Sequence, residues 1–170
     1  SITEDTYGEN IGWFLDAGVD VILFETMGHI EEIKIALETV KNLDHKIWLS
    51  LIMKDKDHIL SGHHINDVFM LSDKNIDCLM LNCNTIAKTN ETLEIVKDNW
   101  INSWGVYPNL GLSEPEPDGE IEEKVQETDF KETILSYLKM NPKIIGSCCG
   151  SSPIHIKMIK EIKEKLFLLD

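Results

Sequence analysis

"KIIGSCCGSSPIHI", residues 143–156, sets an apolar strand against a glycine, two adjacent cysteines, a second glycine and the start of a helix. Adjacent residues of an extended strand point to opposite sides, so both thiols can reach one point only if the chain bends. Gly146 and Gly150 flank the pair and permit that bend. Ser152 can cap the helix, Pro153 fits its first turn, and Ile156, Ile159, Ile162 and Leu166 form an apolar stripe. A strand passing through a short turn into a helix is the repeating unit of a parallel sheet.

The same unit recurs upstream. A first helix carries Tyr7, Ile11, Phe14 and Leu15 on one side, and Gly18 leads into "AGVDVILFETM", a buried strand over residues 19–24. Ile30, Ile33, Leu37 and Val40 then repeat at helical spacing. "KIWLSLIM" predicts a second strand over residues 47–53, followed by a weaker helix over 64–72. "IDCLMLNCN" predicts a third strand ending at Cys83, and "TNETLEIVKDNW" a helix capped by Thr89 or Asn90. "SWGVYPN" is a fourth strand, stopped by Pro108 and Asn109. A proline-bearing loop, a helix over 125–140 and the strand of "KIIGSCC" complete the chain.

Near-continuous apolar strands alternating with helices predict an α/β fold with a parallel sheet covered by helices. Two arrangements satisfy this, a doubly wound sheet and part of a (βα)8 barrel. A full barrel needs eight strands and about 250 residues, against five strands in 170 residues here. A barrel reading therefore leaves about three units missing and two unpaired strand edges. The chain opens on Ser1 rather than methionine, consistent with a piece of a longer one, and reads as a single domain over 1–170.

Thirty acidic against sixteen basic residues give a net charge of −14. That balance repels phosphate backbones and anionic lipid, which argues against nucleic acid and membrane as partners. Glu114, Glu116, Asp118, Glu120, Glu122, Glu123, Glu127 and Asp129 crowd one stretch that reads as a solvated loop and helix start. Four cysteines are too few for a disulfide scaffold. With no membrane-length apolar run and no signal-peptide layout, the expectation is a cytoplasmic protein with reduced thiols.

In either arrangement the active face lies at the carboxyl ends of the strands. Glu25-Thr26, Asn82-Cys83, Tyr107-Pro108-Asn109 and Cys148-Cys149 stand there. Three cysteines thus converge from two strands, and three thiolates suit a borderline-soft cation such as Zn²⁺ with one position left open. Cys78, early in its strand, reads as core. His63, His64 and His155 read as surface residues, and His29 either faces the site or caps the next helix. The alternatives for the pair are core or accidental thiols, a phosphate cradle at the helix N-terminus, and a strained redox dithiol.

"AGVDVILFETM", "LMLNCN", "WGVYPNLG" and "IIGSCCGSSPIHI" occur in an order and spacing that resembles the C-terminal portion of the homocysteine S-methyltransferase family. The resemblance covers nearly the whole chain, and its specific element is "NC" combined with the later "GxCCG". It implies a (βα)8 barrel of which the fourth to eighth strands are present. It also implies a zinc ion held by Cys83, Cys148 and Cys149, with homocysteine and a small methyl donor as partners and methionine as product. Glu25 would hold the amino group of homocysteine, and Asn109 would offer an oxygen to substrate or to zinc. Ser147 departs from the family's second glycine in "GGCCG", and Ser151-Ser152 stand where threonines are common.

The resemblance leaves the methyl donor open. The rival readings are a catalytically inactive zinc-binding half-barrel with a regulatory role, and a phosphate-binding barrel fragment. As a free-standing chain it is expected to self-associate, or to close with a missing N-terminal barrel half.

Overall fold

The computed structural model describes residues 2–72, 76–113, 121 and 123–167. The elements run α1 Ile2–Asp16, β1 Val21–Met27, α2 Ile30–Val40, β2 Lys46–Leu51, α3 Ile65–Ser72, β3 Cys78–Asn82, α4 Ile86–Asn99, β4 Ser103–Tyr107, α5 Glu127–Lys139, β5 Ile144–Ile145 and α6 Pro153–Phe167. All strand pairings are parallel, and the order is β1-β2-β3-β4-β5. A doubly wound sheet would reverse direction at a switch point. An order that follows the chain without reversal is that of a barrel cut open.

Register sorts the strand residues into two faces. Phe24, Leu49, Leu79 and Trp104 lie side by side, as do Leu51, Leu81, Val106 and Ile145. This face joins Ile33, Leu37 and Val40 of α2, Val68 of α3, Leu93 and Val96 of α4, and Phe130 and Ile134 of α5 in one apolar core. The four apolar residues expected to line α2 are all buried. The opposite face carries Leu23, Trp48 and Cys78 in one row, Ser50, Met80, Gly105 and Ile144 in the next, and Asn82 with Tyr107 at the carboxyl end.

Several boundaries differ from the sequence reading. β1 runs on through Glu25 and Thr26 to Met27 because its register shifts between Phe24 and Met27, a β-bulge. α4 begins a turn earlier than Thr89 or Asn90: Thr85 is the cap, its Oγ1 accepting from Lys88 N at 3.3 Å. Thr89 and Thr92 are then buried inside the helix. Strand β5 is only two residues long, because the chain leaves the ladder at Gly146 to form the cysteine turn. On α1, Ile11 is buried but Phe14 and Leu15 face outward; on α6, Met158 and Ile159 are buried whereas Ile156 is exposed. Those outward residues lie at the two ends of the open sheet, where no further unit covers them among the described residues.

Glu123, Glu127 and Asp129 are exposed, as expected, while positions 114–120 and 122 of the acidic stretch lie outside the described residues. No helix among the described residues is long and apolar enough to cross a membrane.

Gly105 measures how tightly β4 and β5 approach. A Cβ there would sit 2.8 Å from Ile144 Cβ, 2.9 Å from Met80 Cγ and 3.0 Å from the Ile144 carbonyl oxygen. Gly105→Ala is expected to lower stability by about 1–3 kcal/mol, read as a reduced midpoint in urea denaturation.

Candidate metal centre

Cys83 follows β3 directly and takes a left-handed backbone, φ 56°. The chain then reverses, and Cys83 N donates to Tyr107 O at 3.3 Å. Cys148 and Cys149 lie in the turn between β5 and α6. Gly150 closes that turn at φ 78°, with Leu110 Cβ only 3.3 Å from where a side chain would begin. A larger residue there would meet both the backbone and the steric penalty.

The turn after β4 ties the two cysteine segments together. Cys148 N donates to Pro108 O at 2.8 Å, and Leu110 N donates to Cys149 O at 3.0 Å. Asn109 is fully buried; its Nδ2 donates to Cys83 O at 2.7 Å and its Oδ1 accepts from Gly111 N at 3.0 Å. Asn84 adds a further brace, accepting from Met53 N at 2.7 Å and donating to Leu51 O at 3.1 Å. Backbone groups that would otherwise be orphaned at the ends of three strands are thereby paired.

The three thiols meet as a result. Cys83 Sγ lies 3.1 Å from Cys148 Sγ and 3.4 Å from Cys149 Sγ, and the vicinal pair is 3.8 Å apart. All three are free cysteines. Tetrahedral zinc with Zn–S bonds of 2.3 Å needs sulfurs about 3.8 Å apart, so the triangle fits such an ion with a small outward adjustment. The hydrogen bond between Cys83 and Cys148 lowers the Cys148 pKa to about 6. The same bond, together with burial, pushes Cys83 up. One thiolate is thus already favoured at neutral pH, the state that binds metal.

Glu25, exposed at the bulge of β1, lies close enough to this cluster to oppose ionisation of Cys148. Tyr107 lies on the same face; its hydroxyl is buried beside Ser50 and Glu25, and burial raises its pKa, with Glu25 adding to the rise. Cys78 is buried away from the cluster, as expected. His29 occupies the cap position of α2 without a side-chain cap bond. His155 is half-buried rather than on the surface: its ring packs edge-on to Phe130 and its Nδ1 accepts from Ser152 N at 3.0 Å.

The hydroxyls that a phosphate cradle would use are engaged. Ser151 Oγ donates to Cys148 O at 2.6 Å and Ser152 Oγ lies 3.1 Å from His155 Nδ1. Ser147 Oγ is buried and has no hydrogen-bond partner among the described residues. A second group, Asp55, Asp57 and His58, also brings ligand atoms close together. Its imidazole Nδ1 is already within 2.9 Å of Asp55 and 2.7 Å of Asp57, which braces the loop after β2.

The sequence reading set Thr26 and Asn82 at the carboxyl face without a role for either, and it missed Ser50. Asn82 Oδ1 accepts from Ser50 Oγ at 2.7 Å and its Nδ2 donates to Thr26 Oγ1 at 2.8 Å. The signal available was a polar residue at the end of an otherwise apolar strand, directly before Cys83.

The homocysteine S-methyltransferase family model matches residues 2–163. Among similar proteins, homocysteine S-methyltransferase 3 of Zea mays is 26% identical over 165 residues, 92% of this chain and 48% of the relative. The homocysteine S-methyltransferase of Escherichia coli K12 is 25% identical over 158 residues, 86% of this chain and 48% of the relative. In structure, the apo form of the E. coli homocysteine methyltransferase MmuM superposes with a TM-score of 0.77 at 22% identity, covering 95% of this chain and 56% of that one. Its metallated form gives 0.74 at 22% identity, covering 93% and 51%. The chain therefore spans about half the length of the relatives it matches, and the likeness in structure shows that its five parallel strands are part of a (βα)8 barrel.

Asn109→Ala would leave Cys83 O and Gly111 N unpaired in a buried position. The expected cost is about 1–3 kcal/mol, measured by urea denaturation of the reduced, metal-free chain. Asn109→Asp, which sets an acceptor against the same carbonyl, should cost at least as much.

Proposed function

The chain belongs to the homocysteine S-methyltransferase family, and from that premise we propose that it is the zinc-bearing portion of an enzyme that methylates the homocysteine thiol to give methionine. The observation that carries this reading is the convergence of Cys83, Cys148 and Cys149 from two strand ends, with sulfurs 3.1–3.8 Å apart. These three residues would hold the ion. A bound zinc ion supplies the Lewis acidity that keeps a substrate thiol deprotonated at neutral pH.

The chain's own residues do the rest. Glu25 offers a carboxylate to the substrate ammonium group from the carboxyl end of β1, on the same side of the sheet as the cysteines. Anchoring the amino group at one end and the sulfur at the other fixes the thiol's orientation, which is where such a site gains most of its rate. Asn109 was expected to contact substrate or zinc. With both ends of its amide engaged, the geometry favours a different role, holding the Cys83 carbonyl and so the direction of its thiol. Methyl donor and partner chain are left open by the residues present.

A second reading rests on the span of the chain, about half that of its relatives. In it the half-barrel binds zinc without turnover, or turns over only when a further barrel half completes it.

Purified, freshly reduced chain is expected to carry about one zinc per molecule, and both Cys83→Ser and Cys148→Ser should lose it in elemental analysis. Absence of zinc from the wild-type chain would sink both readings. Methionine formation from homocysteine with betaine, S-methylmethionine or S-adenosylmethionine separates them: turnover supports the enzyme, whereas zinc without turnover from any donor supports the half-barrel.

A further inference from the structure

Glu25 and Thr26 occupy the bulge of β1, where one extra residue is accommodated and the register shifts before Met27. Thr26 adopts φ 58°, a left-handed conformation that a β-branched residue resists. Such a conformation persists only where its surroundings hold it. Here the holder is Asn82 on β3, whose Nδ2 donates to Thr26 Oγ1 at 2.8 Å across the intervening strand. Asn82 is itself 1% exposed and is fixed from its other end by Ser50 Oγ of β2, which is fully buried.

This three-strand relay ends one residue from the metal-site candidate on one side and one residue from the carboxylate on the other. Asn82 directly precedes Cys83, and Thr26 directly follows Glu25. Alternation from Leu23 sets Glu25 on the face that also carries Tyr107, and the bulge that begins there fixes where its carboxylate stands along that face. Glu25 opposes ionisation of both Tyr107 and Cys148, as a carboxylate sharing their face must.

We propose that the Ser50–Asn82–Thr26 relay is a positioning device that sets the Glu25 carboxylate at a fixed offset from the thiol cluster, and thereby selects thiols that carry an amino group. The inference rests on the reading of Glu25 as the ammonium partner. Thr26 and Asn82 touch neither substrate nor metal in this scheme; they act through their neighbours.

The test compares two thiols of equal chain length on the zinc-loaded 170-residue chain by calorimetric titration: L-homocysteine, and 4-mercaptobutanoate, which lacks the amino group. Wild type should prefer homocysteine. Thr26→Val keeps the branched shape but removes the hydroxyl, and should cut that preference about tenfold, the loss of one part-buried hydrogen bond's control over a charged partner. Its zinc affinity, measured by chelator competition, should not change. Thr26→Ser, which restores the acceptor, should restore the preference. A Thr26→Val chain with the wild-type ratio, or a Thr26→Ser chain that fails to recover it, overturns the proposal. A wild-type chain that binds both thiols equally overturns instead the role of Glu25 on which it rests. Should Thr26→Val fail to load zinc, Ser50→Ala frees the other end of the Asn82 amide and carries the same expectation and the same overturning result.

Discussion

The carboxyl end of the sheet depends on the hydrogen bonds that the turn after β4 makes to both sides. Tyr107 and Pro108 accept from the cysteine segments, Leu110 donates to one of them, and Asn109 reaches back to the Cys83 carbonyl. Because β4 lies between β3 and β5, this turn is the splint through which two strands that never pair with each other hold their thiols within bonding distance of one ion. The sulfurs are brought together by backbone geometry before any metal contributes. Preorganised ligands spare a metal the ordering of the chain, and their supporting partners govern affinity nearly as strongly as the ligands do.

What could be read from the residues followed from how local the deciding interactions were. The strand-turn-helix units, the burial of α2 and the convergence of the three cysteines follow from periodicity and from where a parallel sheet puts its strand ends. The start of α4 did not, because Thr85, Thr89 and Asn90 are all competent caps and only packing decided that Thr89 should be buried. The bulge in β1 was hidden for a stronger reason: its holder, Asn82, lies 56 positions away from Thr26, and Ser50 lies 32 positions from Asn82. A residue's own neighbours in sequence carry no trace of such a partner. His155 looked like a surface residue until Phe130 was seen to pack on it.

The open sheet has a cost at its ends. β1 pairs only with β2 and β5 only with β4 among the described residues. Trp13, Phe14 and Leu15 of α1 and Leu23 of β1 expose apolar surface at one end, and Ile154 and Ile156 of α6 at the other. Unpaired strand edges beside apolar surface invite pairing with another chain. The metal centre draws on the ends of β3 and β5 while Glu25 stands on the edge strand β1, yet Glu25 still acts on Tyr107 and Cys148, so the carboxyl ends of the strands converge on one substrate-sized site.

The strand order has a consequence for how the molecule assembles. Each strand docks on its immediate predecessor, so the sheet can grow one unit at a time as the chain is synthesised, with only short-range closures at each step. Cys83 is in place early, while Cys148 lies 65 residues further on. The centre therefore waits on β5, and it joins that two-residue strand, the shortest of the five-stranded sheet, back to β3. An ion captured there would close a long loop between the two segments. Metal loading would then clamp β5, the strand with the fewest ladder pairs, to the middle of the sheet.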